Sequence, residues 1–114
     1  MTEHERRWAS YAATYRKLAK DRNRQYFTNM SVFIERLQAL PEFEQLKPCT
    51  SHFWLLVMKH EGYQPELPFI SVHCNPDGSF TLQLFRSVAE PAGPEITRPL
   101  DDAVETLSQL ATTF

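Results

Sequence analysis

The hydrophobic pattern of the first forty residues has the period of an α-helix. Thr2 and Glu5 have the spacing of a capping box at its start. Apolar residues follow at steps of three and four: Trp8, Tyr11, Tyr15 and Leu18, then, after Arg22 on the same side, Tyr26, Met30, Phe33, Leu37 and Leu40. One helix over residues 2–40 would be about 57 Å long, longer than a domain of this mass is wide. The period allows one long helix, but we expect two with a break near residues 21–27.

Beyond residue 40 the pattern changes to period two and is interrupted by turns. All three glycines and all eight prolines lie in this part. Residues 41–46 suit a short helical turn with Pro41 at its start. Three strands and a shorter fourth are predicted: 52–59, 69–74, 79–86 and 95–98. The second and third strands form a hairpin around Asn75-Pro76-Asp77-Gly78, where proline and glycine suit a type I turn followed by a left-handed residue.

The helical period returns at the end of the chain, over residues 100–114. We therefore expect one α+β domain over residues 1–114, with two layers. Its N-terminal helices lie in residues 1–40, and an antiparallel meander of three or four strands lies in residues 50–98. A C-terminal helix over residues 100–114 packs on the sheet.

The predicted first strand is apolar on both of its faces. Phe53, Leu55 and Val57 lie on one face, and Trp54, Leu56 and Met58 lie on the other. Either helices cover both faces of the sheet, or one face is open and serves as an interface. The open-face alternative predicts a contact surface around Trp54 and Leu56, since aromatic side chains often carry interface energy.

The charge is divided unevenly along the chain. Residues 1–24 carry seven basic and three acidic residues, a net charge of +4, whereas the remainder carries five and eleven, a net of −6. Helical phase puts Arg6, Lys17, Lys20 and Arg24 opposite the apolar stripe, as one basic ridge. Such a ridge can be simply a solvated helix face, or it can attract an acidic protein or phosphates. A sequence pI near 6.1 argues against nucleic acid.

Four residues, Cys49, His52, His73 and Cys74, resemble a set of metal ligands. Neighbouring residues of a strand point to opposite faces, so His73 and Cys74 cannot both reach one ion. We expect no metal, no cofactor and no catalytic residues. An alternative is a small cysteine-dependent enzyme in which Cys49 or Cys74 pairs with a histidine.

These patterns together predict a small protein-binding module of the cytoplasm. No apolar run is long enough to span a membrane, and two cysteines fit a reducing compartment. Adaptors, chaperone-like accessory factors and inhibitor or immunity-type proteins belong to this class. The expected partner is another protein or a second copy of the chain, and no membrane is involved. A nucleic-acid-associated regulator that uses the basic N-terminal helix is the alternative.

Overall fold

The helical N-terminal part contains two helices in the computed structural model, which describes residues 1–114. Helix α1 (Glu3–Asp21) begins with the expected capping box: the Glu5 amide donates to Thr2 Oγ1 and the Thr2 amide donates to Glu5 Oε1, both at 3.1 Å. Its buried side chains are Trp8, Ala12, Tyr15 and Ala19. Helix α2 (Phe27–Leu37) buries Phe27, Met30, Ser31, Phe33, Ile34 and Leu37. The predicted break near residues 21–27 is confirmed.

The break between the two helices depends on a left-handed residue. Asn23 has a φ of 52°, a conformation that asparagine tolerates better than most residues. The amide of Arg24 turns back to the carbonyl of Ala19 at 3.0 Å. Helix α2 then returns along α1 and packs against it.

A six-stranded antiparallel sheet follows a 3-10 turn at Phe43–Gln45. Its strands are β1 (Lys47–Ser51), β2 (Trp54–Met58), β3 (Phe69–Cys74), β4 (Phe80–Ser87), β5 (Glu90–Pro91) and β6 (Ile96–Arg98). The first five strands pair in chain order. Strands β5 and β6 pair with the same edge of β4, at opposite ends of that strand. The α+β class and the strand meander are confirmed, with two strands more than the four expected.

The additional strand β1 changes the start of the sheet. Residues 52–59 were expected to be one strand, but His52 and Phe53 form a two-residue turn between β1 and β2. His52 has a φ of 57°, as the first residue of a tight hairpin turn requires. Pro48 lies within β1 and has no amide to donate, which is tolerated because β1 is an edge strand.

The predicted hairpin between β3 and β4 is confirmed. Asn75 and Ser79 close the turn through the Asn75 amide and the Ser79 carbonyl at 2.8 Å, and Gly78 has a φ of 89°. A side chain at Gly78 would also meet the Asn29 amide nitrogen at 2.8 Å. Helix α2 therefore packs directly against the turn.

All three helices pack on one face of the sheet, which we call the inner face. Helix α3 (Leu100–Ala111) completes this layer and buries Ala103, Leu107 and Ala111. The main core joins these helices to inner-face residues of the strands, among them Leu55, Val57, Ile70, Val72, Cys74, Phe80 and Leu82. The radius of gyration is 13.1 Å, as expected for one compact domain of this length. None of the helices combines the length and apolar character that crossing a bilayer requires.

The left-handed residue at the helix break gives a stability prediction. Replacement of Asn23 with valine places a β-branched side chain at positive φ, and we expect it to lower the free energy of unfolding by about 1–2 kcal/mol. Asn23→Gly is the matched control, because glycine adopts this φ without strain. Urea denaturation of both variants measures the difference. Equal midpoints would contradict a role for this residue in setting the break.

Candidate functional site

The sheet face opposite the helices, which we call the outer face, has a central row of side chains across three strands. Leu56 of β2 pairs with Ser71 of β3, and Ser71 pairs with Gln83 of β4. Beside this row, Trp54 stacks on His73 with the ring centroids 4.5 Å apart and the planes inclined by 25°. Burial lowers the pKa of His73, which favours the neutral form of its ring.

The opposite end of the outer face carries a second aromatic stack. The rings of Phe69 and Phe85 lie 5.0 Å apart and are inclined by only 10°. Phe69 also joins Leu56 and Met58 in a small core of their own, separate from the one beneath the helices. The outer face is therefore apolar at these positions, and no helix covers it.

An open groove of about 280 Å³ lies on this face. Its apolar lining consists of Trp54, Leu56, Tyr63, Phe69, Phe85 and Val88. The whole chain exposes only four large apolar side chains, and three of them border this groove: Trp54 (39 % exposed), Tyr63 (41 %) and Val88 (53 %). Leu56, which is 6 % exposed, forms part of its floor. Exposed apolar surface is thus concentrated at one place.

The polar part of the groove lining is small. It consists of Ser51, His52 and Ser71, and no lysine, arginine, aspartate or glutamate contributes. A second depression, of about 300 Å³, lies near Pro68, Arg86 and Phe114. It is bordered by none of the exposed large apolar side chains, so the groove is the stronger candidate site.

The loop between β2 and β3 forms one wall of the groove through Tyr63. Its ring meets the edge of Phe69 with the centroids 6.2 Å apart. Glu61 anchors the loop, since its carboxylate lies 2.8 Å from Arg7 and 3.4 Å from Lys47. Hydrogen bonds from these two side chains lower the pKa of Glu61. The Val88 amide donates to the carbonyl of Pro65 at 2.8 Å, which joins this wall to the other end of the groove.

The turn that carries Trp54 is held from the inner face. Tyr15 of α1 donates its hydroxyl to the carbonyl of Phe53 at 3.0 Å, and burial raises the pKa of Tyr15 above its usual range. Arg22 and Arg24 each lie with the guanidinium carbon 5.9 Å from the centroid of the Phe53 ring. The position of Trp54 therefore depends on contacts from the helical layer.

The predicted basic ridge is divided by the end of α1. Arg6, Lys17 and Lys20 are exposed on the helix, whereas Arg24 lies beyond Asp21 and does not continue that face. Its guanidinium packs at Phe53 instead. Arg6 lies 3.9 Å from Glu3. None of the four ridge residues lines the groove, so the structure does not bring the two predicted surfaces together in one site.

The two cysteines lie on opposite faces of the sheet and form no disulfide. Cys74 is buried in the main core, its thiol donates to the carbonyl of Tyr26 at 3.1 Å, and burial raises its pKa to about 12. Cys49 lines a recess of about 130 Å³ that shares Leu56 and Tyr63 with the groove. His73 lies on the outer face and Cys74 on the inner face, as strand alternation predicts. No group of three or more metal-ligating side chains converges anywhere in the chain.

The outer face contains residues that the sequence did not single out. Tyr63, Ser71 and Val88 line the groove, but Tyr63 and Val88 lie in loops without a periodic pattern. Phe69 and Phe85, by contrast, alternate with Ile70 and Leu84 in the predicted hairpin, and this alternation indicated from the sequence that they lie on the opposite face. Comparisons of the chain with protein-family models, curated proteins and solved structures found no match.

The different environments of the two thiols predict different reactivity. In the folded protein at pH 8 we expect iodoacetamide to modify Cys49 at least about 100-fold faster than Cys74, because the thiolate is the nucleophile and Cys74 is buried. Peptide mass spectrometry over time measures both rates, and Cys49→Ser reports Cys74 alone. In urea the rates should converge. Equal rates in the folded protein would show that Cys74 is accessible and would reopen its role as a nucleophile.

Proposed function

We propose that this chain is a small protein-binding module that receives another protein on the outer face of its sheet. The observation that supports this proposal is the grouping of Trp54, Tyr63 and Val88 around one groove. Exposed apolar patches on small domains commonly mark partner sites, and tryptophan and tyrosine are enriched among residues that dominate binding energy. Leu56 contributes to the floor on which a partner side chain would rest.

The size and openness of the groove favour a protein partner over a small molecule. Ligand pockets usually enclose about 300–1,000 Å³ and bury most of the ligand. A groove of about 280 Å³ on a sheet face is at the lower end of that range and suits one or two side chains that project from a larger surface. The proposal covers a second copy of this chain as well as a different protein.

The basic ridge has a subordinate role in this proposal. Arg6, Lys17 and Lys20 attract acidic surfaces at a distance, which raises the rate of encounter with an acidic partner. Because no ridge residue lines the groove, a partner side chain that is seated in the groove does not contact the ridge. The ridge therefore affects association rate and its salt dependence more than the lifetime of the complex.

The alternative of nucleic-acid binding has weaker support. Of the seven basic residues in the first twenty-four, Arg7 and Arg16 lie within 2.8 Å of Glu61 and Glu35. Arg22 and Arg24 pack at Phe53. Few guanidinium and ammonium groups then remain free to contact phosphates. Lys17 and Lys20 are among them, since both are exposed on the helix. Two thiols without a disulfide are compatible with the cytoplasm as the compartment in which the module works.

The proposal is tested by site-specific photo-cross-linking in cells that express the full chain. A benzophenone amino acid at Val88 on the groove should cross-link one predominant protein, because Val88 is exposed at the groove border. The same group at Gln109, exposed on α3, is the control, and Lys17 tests the ridge. A product of twice the chain's mass would identify self-association. Cross-linking at Lys17 that nuclease abolishes, with none at Val88, would contradict the proposal and favour nucleic acid.

A substitution in the groove provides the second test. Trp54→Ala should lower the Val88 cross-linking yield at least about ten-fold, since it removes an aromatic contact at the groove border. The free energy of unfolding should fall by no more than about 1–2 kcal/mol, because Trp54 is only partly buried. Gln109→Ala, at an exposed position of α3 outside both the groove and the ridge, is the surface control and should leave the yield within two-fold. An unchanged yield in a folded Trp54→Ala protein would remove the groove as the binding surface.

A further inference from the structure

The floor of the groove contains a polar group without a partner. Ser71 is 4 % exposed, and its hydroxyl oxygen makes no hydrogen bond within the chain. Most buried polar side chains have a partner, and one without it weakens the folded state. Ser71 lies among the residues that line the groove, so a group that enters there can supply the missing hydrogen bond.

The neighbours of Ser71 restrict the shape of that group. In the central row Ser71 lies between Leu56 and Gln83, and the Gln83 side-chain amide is already bonded to the carbonyl of Gly93 at 3.0 Å. The residues two positions away on β3 are the aromatic side chains His73 and Phe69, about 7 Å along the strand on either side. Ser71 has a small side chain and lies between the two aromatic stacks. It therefore leaves space for a planar group oriented perpendicular to the sheet.

The lining also restricts the charge of the group. No lysine, arginine, aspartate or glutamate borders the groove, and its one histidine, His52, is exposed in the turn between β1 and β2. A carboxylate or an ammonium group buried at Ser71 would therefore have no buried counter-charge beside it. The occupant is therefore neutral at the end that reaches Ser71. A phenol has a flat ring with its hydroxyl at the tip, whereas the indole N–H lies at the side of its ring.

We infer that the groove takes the phenol ring of a tyrosine on the partner protein, with its hydroxyl bonded to Ser71 Oγ. This inference rests on the proposed function and names the side chain that the groove recognises. Ser71 Oγ is covered by its own neighbours in the structure, so contact requires χ1 of Ser71 to turn the hydroxyl toward the ring. Both hydroxyl groups can donate and accept, so either direction of the hydrogen bond satisfies the serine.

The inference is tested with two probes that differ by one hydroxyl group. N-acetyl-tyrosinamide and N-acetyl-phenylalaninamide are titrated into the ¹⁵N-labelled full chain, and shifts of the Ser71 amide and the Trp54 indole N–H give the two Kd values. We expect the tyrosine probe to bind about five-fold more tightly, the usual effect of one hydrogen bond. In Ser71→Ala the two probes should bind equally, while the melting temperature of the free protein stays the same or rises. Ser87→Ala, a hydroxyl deletion on β4 outside the groove lining, should keep the preference.

Several results would overturn the inference. Equal binding of both probes to the wild type, or a tyrosine preference that survives in Ser71→Ala, would exclude the hydrogen bond. A lower melting temperature for Ser71→Ala would show that the hydroxyl has an internal partner. Binding of free 4-methylphenol at least ten-fold more tightly than the tyrosine probe would assign the site to a small phenol instead of a partner's tyrosine. The Val88 cross-link tests partner binding separately. If the cross-link forms but the two probes bind equally, only the recognition of a tyrosine is excluded, and the proposal of partner binding stands.

Discussion

The arrangement of this fold depends on the placement of all three helices on one face of the sheet. Strand β2 has apolar side chains on both faces, but only Leu55 and Val57 lie beneath the helical layer. Leu56 and Met58 face the other way and are covered by Phe69 and neighbouring side chains. One-sided coverage of an antiparallel sheet is common when the second face is polar. Here half of that face is apolar, so the groove is a direct consequence of the layer arrangement.

The helical layer also sets the geometry of the groove. Trp8 donates its indole N–H to the carbonyl of Leu46 at 3.0 Å, and Tyr15 donates to the carbonyl of Phe53. These two carbonyls lie at the two ends of β1, so α1 holds both ends of that strand. Because each donor is buried, loss of either bond leaves a buried polar group without a partner. Trp54 borders the groove, so the shape of the groove depends on hydrogen bonds that are made on the inner face of the sheet.

Periodicity predicted most of the fold because it reports burial directly. The buried stripe of α1 follows from the spacing of residues such as Trp8, and the β3–β4 hairpin follows from the turn residues Asn75 and Gly78. The helix break was expected for a different reason, because one helix over residues 2–40 would be longer than the domain is wide. Strand β1 was not predicted, because it is short, contains Pro48 and is joined to β2 by His52-Phe53 without glycine or asparagine. The candidate site was predicted only in part. Trp54 and Leu56 follow from alternation, whereas Tyr63 and Val88 reach the groove through loop conformations that have no periodic pattern.

Some polar side chains of the outer face have hydrogen-bond partners and others have none, and their separation on the face supports a localised binding site. Near β6 the hydroxyls of Thr81 and Thr97 lie 3.2 Å apart, and Asn75 donates to Thr81 at 3.0 Å. The side chains of Asn75, Thr81 and Thr97 are thus bonded to one another. Around Ser71, by contrast, two buried polar atoms without partners, the Ser71 hydroxyl oxygen and His73 Nδ1, occur together with exposed aromatic side chains. Both features raise the free energy of the folded chain when no partner is bound. Departures from good packing and hydrogen bonding tend to occur at functional sites, because a partner compensates for them.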